Sequence, residues 1–160
     1  MFTSKQLGDH GEDFAISLLR SRGYTAEKLA VNAPTYDIKA SNGHATFFVS
    51  VKVSRTKQHV RLGTRRSVEG LTPNNFVFAF TPSGGEIESL ETSPYELLIL
   101  PADVVRNDSL TIHDDYWLSR SKDPNIFSVI VKAYDKYGKP TWQRWQHYKE
   151  AWGTLPPPSA

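Results

Sequence analysis

Three charged residues, Glu12, Asp37 and Lys52, have side-chain types that phosphodiester chemistry uses. Hydrolysis of a phosphodiester requires a deprotonated water and stabilisation of the extra charge at phosphorus, and Mg²⁺ supplies both while it orients the reacting groups. Mg²⁺ takes oxygen ligands and keeps several of its waters. We therefore predict that Asp37 is a fixed metal ligand, that Glu12 supplies a second carboxylate, and that Lys52 neutralises charge near the attacking water or a phosphoryl oxygen.

Each of these residues also has a simpler interpretation. Asp37 and Lys52 on neighbouring strands would suit a surface ion pair, which contributes about 0 to 1 kcal/mol. Ser50 and Lys52 would suit the solvated face of a half-buried strand. Glu12 alone is at least as compatible with a solvated helix position. The chemical interpretation therefore depends on the three side chains lying close together in the fold.

Asp37 and Lys52 are predicted on the two arms of a β-hairpin. Residues 36–40 and 45–54 are the arms, and Asn42-Gly43 between them is a strong turn signal. The second arm alternates, which predicts two faces: Phe47, Val49, Val51 and Val53 on one, and Phe48, Ser50, Lys52 and Ser54 on the other. Because cross-strand neighbours approach within about 5 Å, we expect Asp37 beside Ser50 and Lys52.

Glu12 is predicted on a first helix, at residues 3–22. Its apolar residues recur at helical spacing: Leu7, Phe14, Leu18 and Leu19. Thr3 or Ser4 is suited to cap the start, and Gly23 is suited to end the helix in a left-handed conformation. Glu12 lies at the flank of the apolar stripe, so it does not point directly away from the core.

The remaining elements predict an α/β fold with a central mixed β-sheet flanked by helices. We expect strands at residues 24–31, 76–80, 96–100 and 127–133. We also expect one helix that begins near Pro101 and a second, C-terminal helix at residues 141–152. Residues 55–75 are predicted as a loop with a short helix. The last helix carries Trp145, Tyr148 and Trp152 on one stripe, which suits either a core or a dimer face.

Length and composition limit the possible classes. A chain of 160 residues fits one domain, which we assign to residues 1–155, with a loose proline-rich tail at 156–160. Cysteine is absent, which excludes disulfides and cysteine-bearing zinc sites and fits a cytoplasmic protein. No apolar run approaches the roughly 20 residues that span a bilayer, and the first residues do not resemble a signal peptide.

Basic residues are concentrated directly after the predicted catalytic strand. The net charge is only +2, but no acidic residue interrupts the stretch from Lys52 to Arg66. We predict that five of its residues contact nucleic-acid phosphates: Arg55, Lys57, Arg61, Arg65 and Arg66. A solvated charged loop is the alternative, and nothing in the stretch specifies sequence readout.

These motifs together resemble the PD-(D/E)XK nuclease superfamily, in particular its Holliday-junction resolvase-like and restriction endonuclease-like members. The resemblance covers approximately residues 5–55 and depends on Gly11-Glu12, on Tyr36-Asp37-Ile38 and on residues 48–54. It implies a core in the order α-β-β-β-α-β. It also implies Mg²⁺ or Mn²⁺ as cofactor, bound by Asp37 and Glu12, with Lys52 assisting catalysis and DNA as substrate.

One position departs from the pattern of that superfamily. Ser50 stands two residues before Lys52, where the resemblance implies an acidic residue or glutamine. Two hypotheses remain open. The chain is either a Mg²⁺-dependent DNA endonuclease, or an inactive member of the same fold that binds nucleic acid or a protein, for example in defence or immunity. A homodimer is expected only by analogy with resolvase-like nucleases.

Overall fold

The computed structural model describes residues 1–31, 33–56, 59–112, 128–132 and 145–158. Their helices and strands follow one another in this order: α1 (Ser4–Ser21), β1 (Thr25–Lys28), β2 (Ile38–Ser41), β3 (Thr46–Val53), β4 (His59–Thr64), α2 (Arg65–Glu69), β5 (Phe76–Pro82), β6 (Tyr95–Pro101), α3 (Ala102–Ile112) and β7 (Ser128–Lys132). The order α-β-β-β-α-β is present in α1 to β5, with β4 inserted before α2. No helix among the described residues is long and apolar enough to cross a bilayer.

The central sheet is mixed, as predicted. Its strand order is β1-β2-β3-β5-β6. Strands β3 and β5 run parallel, while the other neighbouring pairs are antiparallel. Strands β4 and β7 form a separate antiparallel pair. The parallel contact between β3 and β5 places the strand that carries Lys52 in the middle of the sheet.

Two hydrophobic cores cover the two faces of this sheet. The first core lies between the sheet and α1 and includes Leu19, Val49 and Phe78. The second core lies between the sheet and β4, α2 and α3, and it includes Leu62 and Val77. Helices therefore flank both faces, which confirms the predicted α/β arrangement. Since both faces are covered, β5 is buried along its whole length.

Local signals in the sequence correctly predicted α1 and the hairpin. Thr3 caps α1 in a capping box with Gln6, and Gly23 follows the helix with a φ of 96°. Strands β2 and β3 pair antiparallel, with Ile38 opposite Val49. The Asn42 side chain accepts hydrogen bonds from the backbone N–H groups of residues 44 and 45, which closes the turn.

The predicted loop at residues 55–75 is only partly correct. Its described portion contains strand β4 and the five-residue helix α2. Strand β4 forms because it pairs with β7, more than sixty residues later in the chain, so no local sequence pattern predicts it. The strand predicted at residues 127–133 is present as β7.

The C-terminal helix predicted at residues 141–152 extends only to Trp145 in the described part, because no residue after Trp145 is α-helical, and residues 141–144 lie outside the described part. From Trp145 onward the chain forms two 3₁₀ turns, and between them Lys149 pairs with Leu98 of β6 while Glu150 has a φ of 50°. Trp145 is buried in the second core, whereas Trp152 packs on the first. The segment therefore crosses the β6 edge, and the two indoles do not form a dimer face.

The tail predicted to be loose is attached to the domain at its first two residues. The carbonyl oxygen of Pro156 accepts a hydrogen bond from the Tyr24 hydroxyl, and that of Pro157 accepts one from the Asn42 side chain. Leu155, immediately before them, is buried in the first core. Residues 159–160 lie outside the described part.

Candidate active site

Asp37 is held where strands β2 and β3 separate. Its N–H donates to the carbonyl oxygen of Val49 at 2.9 Å, and its own carbonyl oxygen accepts from the N–H of Leu29 at 2.8 Å. Its carboxylate accepts a hydrogen bond from the N–H of Val51 at 2.7 Å, in place of a further bond of the β2–β3 ladder. Backbone bonds to two neighbouring segments thus fix the residue, and the Val51 amide fixes its carboxylate.

Lys52 lies on the face of β3 that is directed away from α1. It lines a narrow cleft together with Thr35, Ser50, Leu62, Ser67, Leu71 and Val77. Burial lowers the pKa of Lys52, while the negative charges of Asp37 and Glu12 act in the opposite direction. Lys52 forms no ion pair or hydrogen bond with any residue that the structure describes. Its ammonium group therefore remains available to an anionic ligand.

Glu12 reaches the site because α1 packs unusually close to β3. A Cβ atom on Gly11 would stand 2.4 Å from Cγ2 of Val53 and 3.4 Å from Cγ1 of Val51. Only glycine permits this approach, and the next residue, Glu12, is half-buried at the contact. Burial, and after it the nearby charge of Asp37, raises the pKa of Glu12 to about 7.

The structure brings the three predicted site residues within electrostatic range of one another. The charge of Asp37 acts on Glu12, and the charges of both carboxylates act on Lys52. Burial also raises the pKa of Asp37, although the Val51 N–H and the charge of Lys52 favour its ionised form. The charge of Asp37 disfavours ionisation of Glu12, and a bound cation would relieve that repulsion between the two carboxylates.

The donor set fits Mg²⁺ or Mn²⁺. Within the described part of the chain, no group of three or more histidine, cysteine, aspartate or glutamate residues is placed to hold a metal ion. Asp37 and Glu12 are two carboxylates, and Mg²⁺ is usually held by one or two carboxylates together with water and substrate phosphate. Ser50 is only 2% exposed and lines the cleft beside Lys52. Because its side chain is a hydroxyl, it adds only a neutral oxygen to the donor set.

Sequence reasoning did not identify Lys28, at the end of β1. Its ammonium group forms an ion pair with Asp13 at 2.9 Å. Its positive charge acts to lower the pKa of both Glu12 and Asp37. The pairing of Lys28 with Ile38, the residue after Asp37, explains this proximity. A regular alternation in β1 would have indicated it, but the strand is only four residues long.

The predicted nucleic-acid-binding residues fall on different parts of the surface. Arg55 donates a hydrogen bond to the carbonyl oxygen of Phe2, so it lies against the N-terminal segment. Arg61 is exposed on β4, and Arg65 forms an ion pair with Glu69 at 2.7 Å. Lys57 lies outside the described residues.

Arg66 is exposed and lines a groove on the α2 side of the sheet. The other residues of the groove are Pro34, Thr35, Tyr36, Thr64, Ser67 and Gly70. Thr35 and Ser67 also line the cleft that contains Lys52, so the groove and the cleft adjoin. Of the predicted basic residues that the structure describes, Arg66 is therefore the one that adjoins the candidate site.

Comparison with solved structures identifies the fold. A bacterial homing endonuclease, I-Ssp6803I, aligns over 96% of this chain and 91% of its own, with 21% sequence identity and a TM-score of 0.53. This is the fold of the PD-(D/E)XK nucleases. Hjc, a Holliday junction resolvase from Archaeoglobus fulgidus, aligns over 78% of this chain and 83% of its own, with 14% identity and a TM-score of 0.48. No protein-family model and no curated protein sequence matches the chain.

The likeness confirms the restriction endonuclease-like core that the sequence predicted. At 21% identity the likeness concerns the fold and not the chemistry of the site. In this chain Asp37 lies immediately before β2, Lys52 on β3 and Glu12 on α1. These are the positions at which the resemblance implied the functional residues of a PD-(D/E)XK nuclease.

Proposed function

We propose that this chain is a Mg²⁺- or Mn²⁺-dependent DNA endonuclease whose catalytic residues are Glu12, Asp37 and Lys52. The observation that best supports the proposal is the convergence of their charges in one partly desolvated site. Perturbed pKa values that arise from burial and from specific charged neighbours are concentrated at functional sites. The proposal takes residues 1–155 as a single nuclease domain.

In this proposal the carboxylates hold the metal ion. Asp37 is the fixed ligand, because the Val51 N–H at 2.7 Å leaves its second oxygen available. Glu12 is the second ligand, presented by α1, which packs against β3 at Gly11. When bound, the ion would supply a Lewis acid for the phosphate and an activated water.

Lys52 stabilises the charge that develops on the phosphate. Lys52 is half-buried, and its ammonium group acts in a partly water-excluded cleft, where an electrostatic interaction is stronger than in bulk water. The neighbouring carboxylates favour its charged form. A lysine with no described ion-pair partner can contact a phosphoryl oxygen or the attacking water without first breaking an ion pair.

DNA is the proposed substrate. The groove beside the Lys52 cleft contains the exposed Arg66, and Arg61 is exposed on the preceding strand. Each arginine contact with a phosphate releases counterions, so binding should weaken as salt concentration rises. The similar homing endonuclease supports DNA as the polymer. A homodimer is part of this proposal only by analogy, since Trp145 and Trp152 pack inside their own chain.

An inactive nucleic-acid-binding or protein-binding member of the fold is the second candidate, and Ser50 is the observation that favours it. The resemblance implies an acidic residue or glutamine at this position, and the serine offers no charge to a metal ion. Ser50 is buried and lines the cleft that contains Lys52, where its hydroxyl adds only a neutral oxygen.

A plasmid-cleavage assay with Mg²⁺ or Mn²⁺ separates the two candidates. It should compare the wild-type protein with Asp37→Ala, Lys52→Ala and the matched control Lys39→Ala, which removes an exposed lysine from the same hairpin. The nuclease proposal expects cleavage by wild type and control and a loss of at least about a hundredfold in the other two. Absence of cleavage, together with salt-sensitive DNA binding, would support the inactive candidate.

A further inference from the structure

The segment immediately before Asp37 has a backbone conformation that its sequence does not favour. Thr35 has a φ of 67°, and the N–H of Tyr36 donates to the carbonyl oxygen of Pro34 at 2.7 Å. A hydrogen bond across one residue of positive φ describes a γ-turn of the rare, strained kind. A β-branched residue seldom adopts this conformation, and it persists only where surrounding contacts require it.

Those contacts come from α2 and from the chain that follows it. The Thr35 hydroxyl donates to the carbonyl oxygen of Ser67 at 3.1 Å. Gly70 leaves the space for this contact, because a Cβ atom there would stand 2.3 Å from the Thr35 hydroxyl oxygen. A helix more than thirty residues away in sequence thus fixes the turn.

Tyr36 is held in the same way, one residue closer to Asp37. Its hydroxyl oxygen accepts a hydrogen bond from the N–H of Thr72 at 2.8 Å and lies 3.2 Å from the Thr72 hydroxyl. Its ring packs on Phe48 of β3, with ring centroids 5.8 Å apart. Thr35 and Tyr36 are therefore both attached to the segment formed by residues 67–72, here called the α2 clamp.

We propose that Thr35 and Tyr36 are positioning residues, through which the α2 clamp sets the carboxylate of Asp37 against the Val51 amide. The strained turn determines the direction in which the chain enters Asp37, and the clamp prevents the turn from relaxing. The inference rests on the proposed function only in that Asp37 is taken to be a metal ligand. The effect of the α2 clamp on the hydrogen bond between Asp37 and Val51 can be measured in the protein without DNA or metal.

The most direct test follows the Val51 amide by ¹H–¹⁵N NMR in metal-free protein. Asp37→Ala removes the acceptor and defines the direction in which the Val51 resonance moves when the hydrogen bond is lost. Thr35→Val keeps the shape of the side chain but removes the donor to Ser67, whereas Thr35→Ser keeps the donor. We expect Thr35→Val to move the resonance in the Asp37→Ala direction and Thr35→Ser to leave it in place.

Two further variants test the α2 clamp at its contacts with Gly70 and with the Tyr36 hydroxyl. Gly70→Ala inserts a methyl group against Thr35, and its control, Gly153→Ala, adds one where no atom lies within 4 Å. Tyr36→Phe removes only the hydroxyl that Thr72 holds, so it still reports on the clamp if a Thr35 or Gly70 variant fails to fold. Both Gly70→Ala and Tyr36→Phe should move the Val51 resonance, and Gly153→Ala should not.

Cleavage kinetics complete the test. A small displacement of a catalytic group lowers the rate of the chemical step more than substrate binding, so Thr35→Val should reduce kcat about tenfold with KM changed less than about twofold. Thr35→Ser should restore wild-type kcat. If wild type cleaves DNA but Thr35→Val and Tyr36→Phe leave the Val51 resonance unmoved, the positioning role is wrong. If the resonance moves but wild type cleaves nothing, positioning holds and the nuclease proposal fails.

Discussion

Gly11 of α1 lies so close to Val53 of β3 that a Cβ atom on the glycine would stand 2.4 Å from the Val53 Cγ2 atom. This approach sets the distance between α1 and the sheet, and Glu12 follows directly in the chain. The candidate site therefore depends on a packing contact as well as on its charged residues, and the two can be perturbed separately.

Gly11→Ala should destabilise the protein although alanine is the better helix former. The methyl group overpacks the contact with Val53, at a cost of about 1–3 kcal/mol, and the gain in helix propensity offsets about 1 kcal/mol. We expect a net loss of up to about 2 kcal/mol, measured by urea denaturation. The matched control is Gly8→Ala on the same helix, where no atom lies within 4 Å and a small stabilisation is expected. Equal effects of the two variants would contradict the close approach.

The stability of the metal-free protein should fall with pH because of Glu12. Its pKa is raised from 4.5 in the unfolded chain to about 7 in the fold, so the folded state retains a proton that the unfolded state has lost. The protonated form is thus favoured by folding, and stability declines between about pH 4.5 and 7 and then levels off.

Glu12→Gln removes this titration while it keeps the side-chain shape. The free energy of unfolding of the variant, relative to wild type, should increase as the pH rises from 4.5 to about 7. Asp13→Asn is the control, since Asp13 is an exposed carboxylate on the same helix whose pairing with Lys28 is a surface interaction. A pH-independent difference between Glu12→Gln and wild type would show that Glu12 ionises normally in the fold.

A divalent cation should reverse that loss of stability. An ion that binds only the folded state adds about 1.4 kcal/mol at a free concentration of about ten times its Kd. Addition of Mg²⁺ or Mn²⁺ at pH 8 should therefore raise Tm, and EDTA should return it to the metal-free value. Asp37→Asn, which keeps the shape but not the charge, should abolish the increase, whereas Asp13→Asn should retain it. An undiminished shift in Asp37→Asn would place the ion elsewhere.

How far the sequence predicted this structure depended on whether the cause was local. The capping residue Thr3, the turn residues Asn42 and Gly43 and the alternation of β3 act within a few residues, and the elements they predicted are present. Strand β4 depends on its pairing with β7, and Trp145 and Trp152 belong to different cores. Those features are consequences of the assembled fold, which local patterns do not contain.

The same distinction applies to the candidate site. Residue types and the resemblance suggested Glu12, Asp37 and Lys52, and in the structure their charges interact. Lys28 was missed because its influence arises from the β1–β2 pairing. Thr35 was missed because threonine disfavours a positive φ, so the strained turn has no sequence signal.

Ser50 provides the last prediction, because it is the position at which the two functional hypotheses differ. Ser50→Asp would add a carboxylate beside Lys52 in a buried site. Without metal it should destabilise the protein by about 1–3 kcal/mol, because a larger side chain is forced into the space of a buried serine. With Mg²⁺ or Mn²⁺ the added ligand should recover that loss and increase the rate of plasmid cleavage.

Ser50→Asn is the matched control, since it has the size of the aspartate variant without its charge. It should show a similar loss of stability, no recovery with metal, and no gain in cleavage. If Ser50→Asp gains metal affinity but no cleavage, while wild type is also inactive, the serine is not what limits catalysis. If neither variant responds to metal, Ser50 does not face the ion held by Asp37 and Glu12, and the metal site must be formed without it.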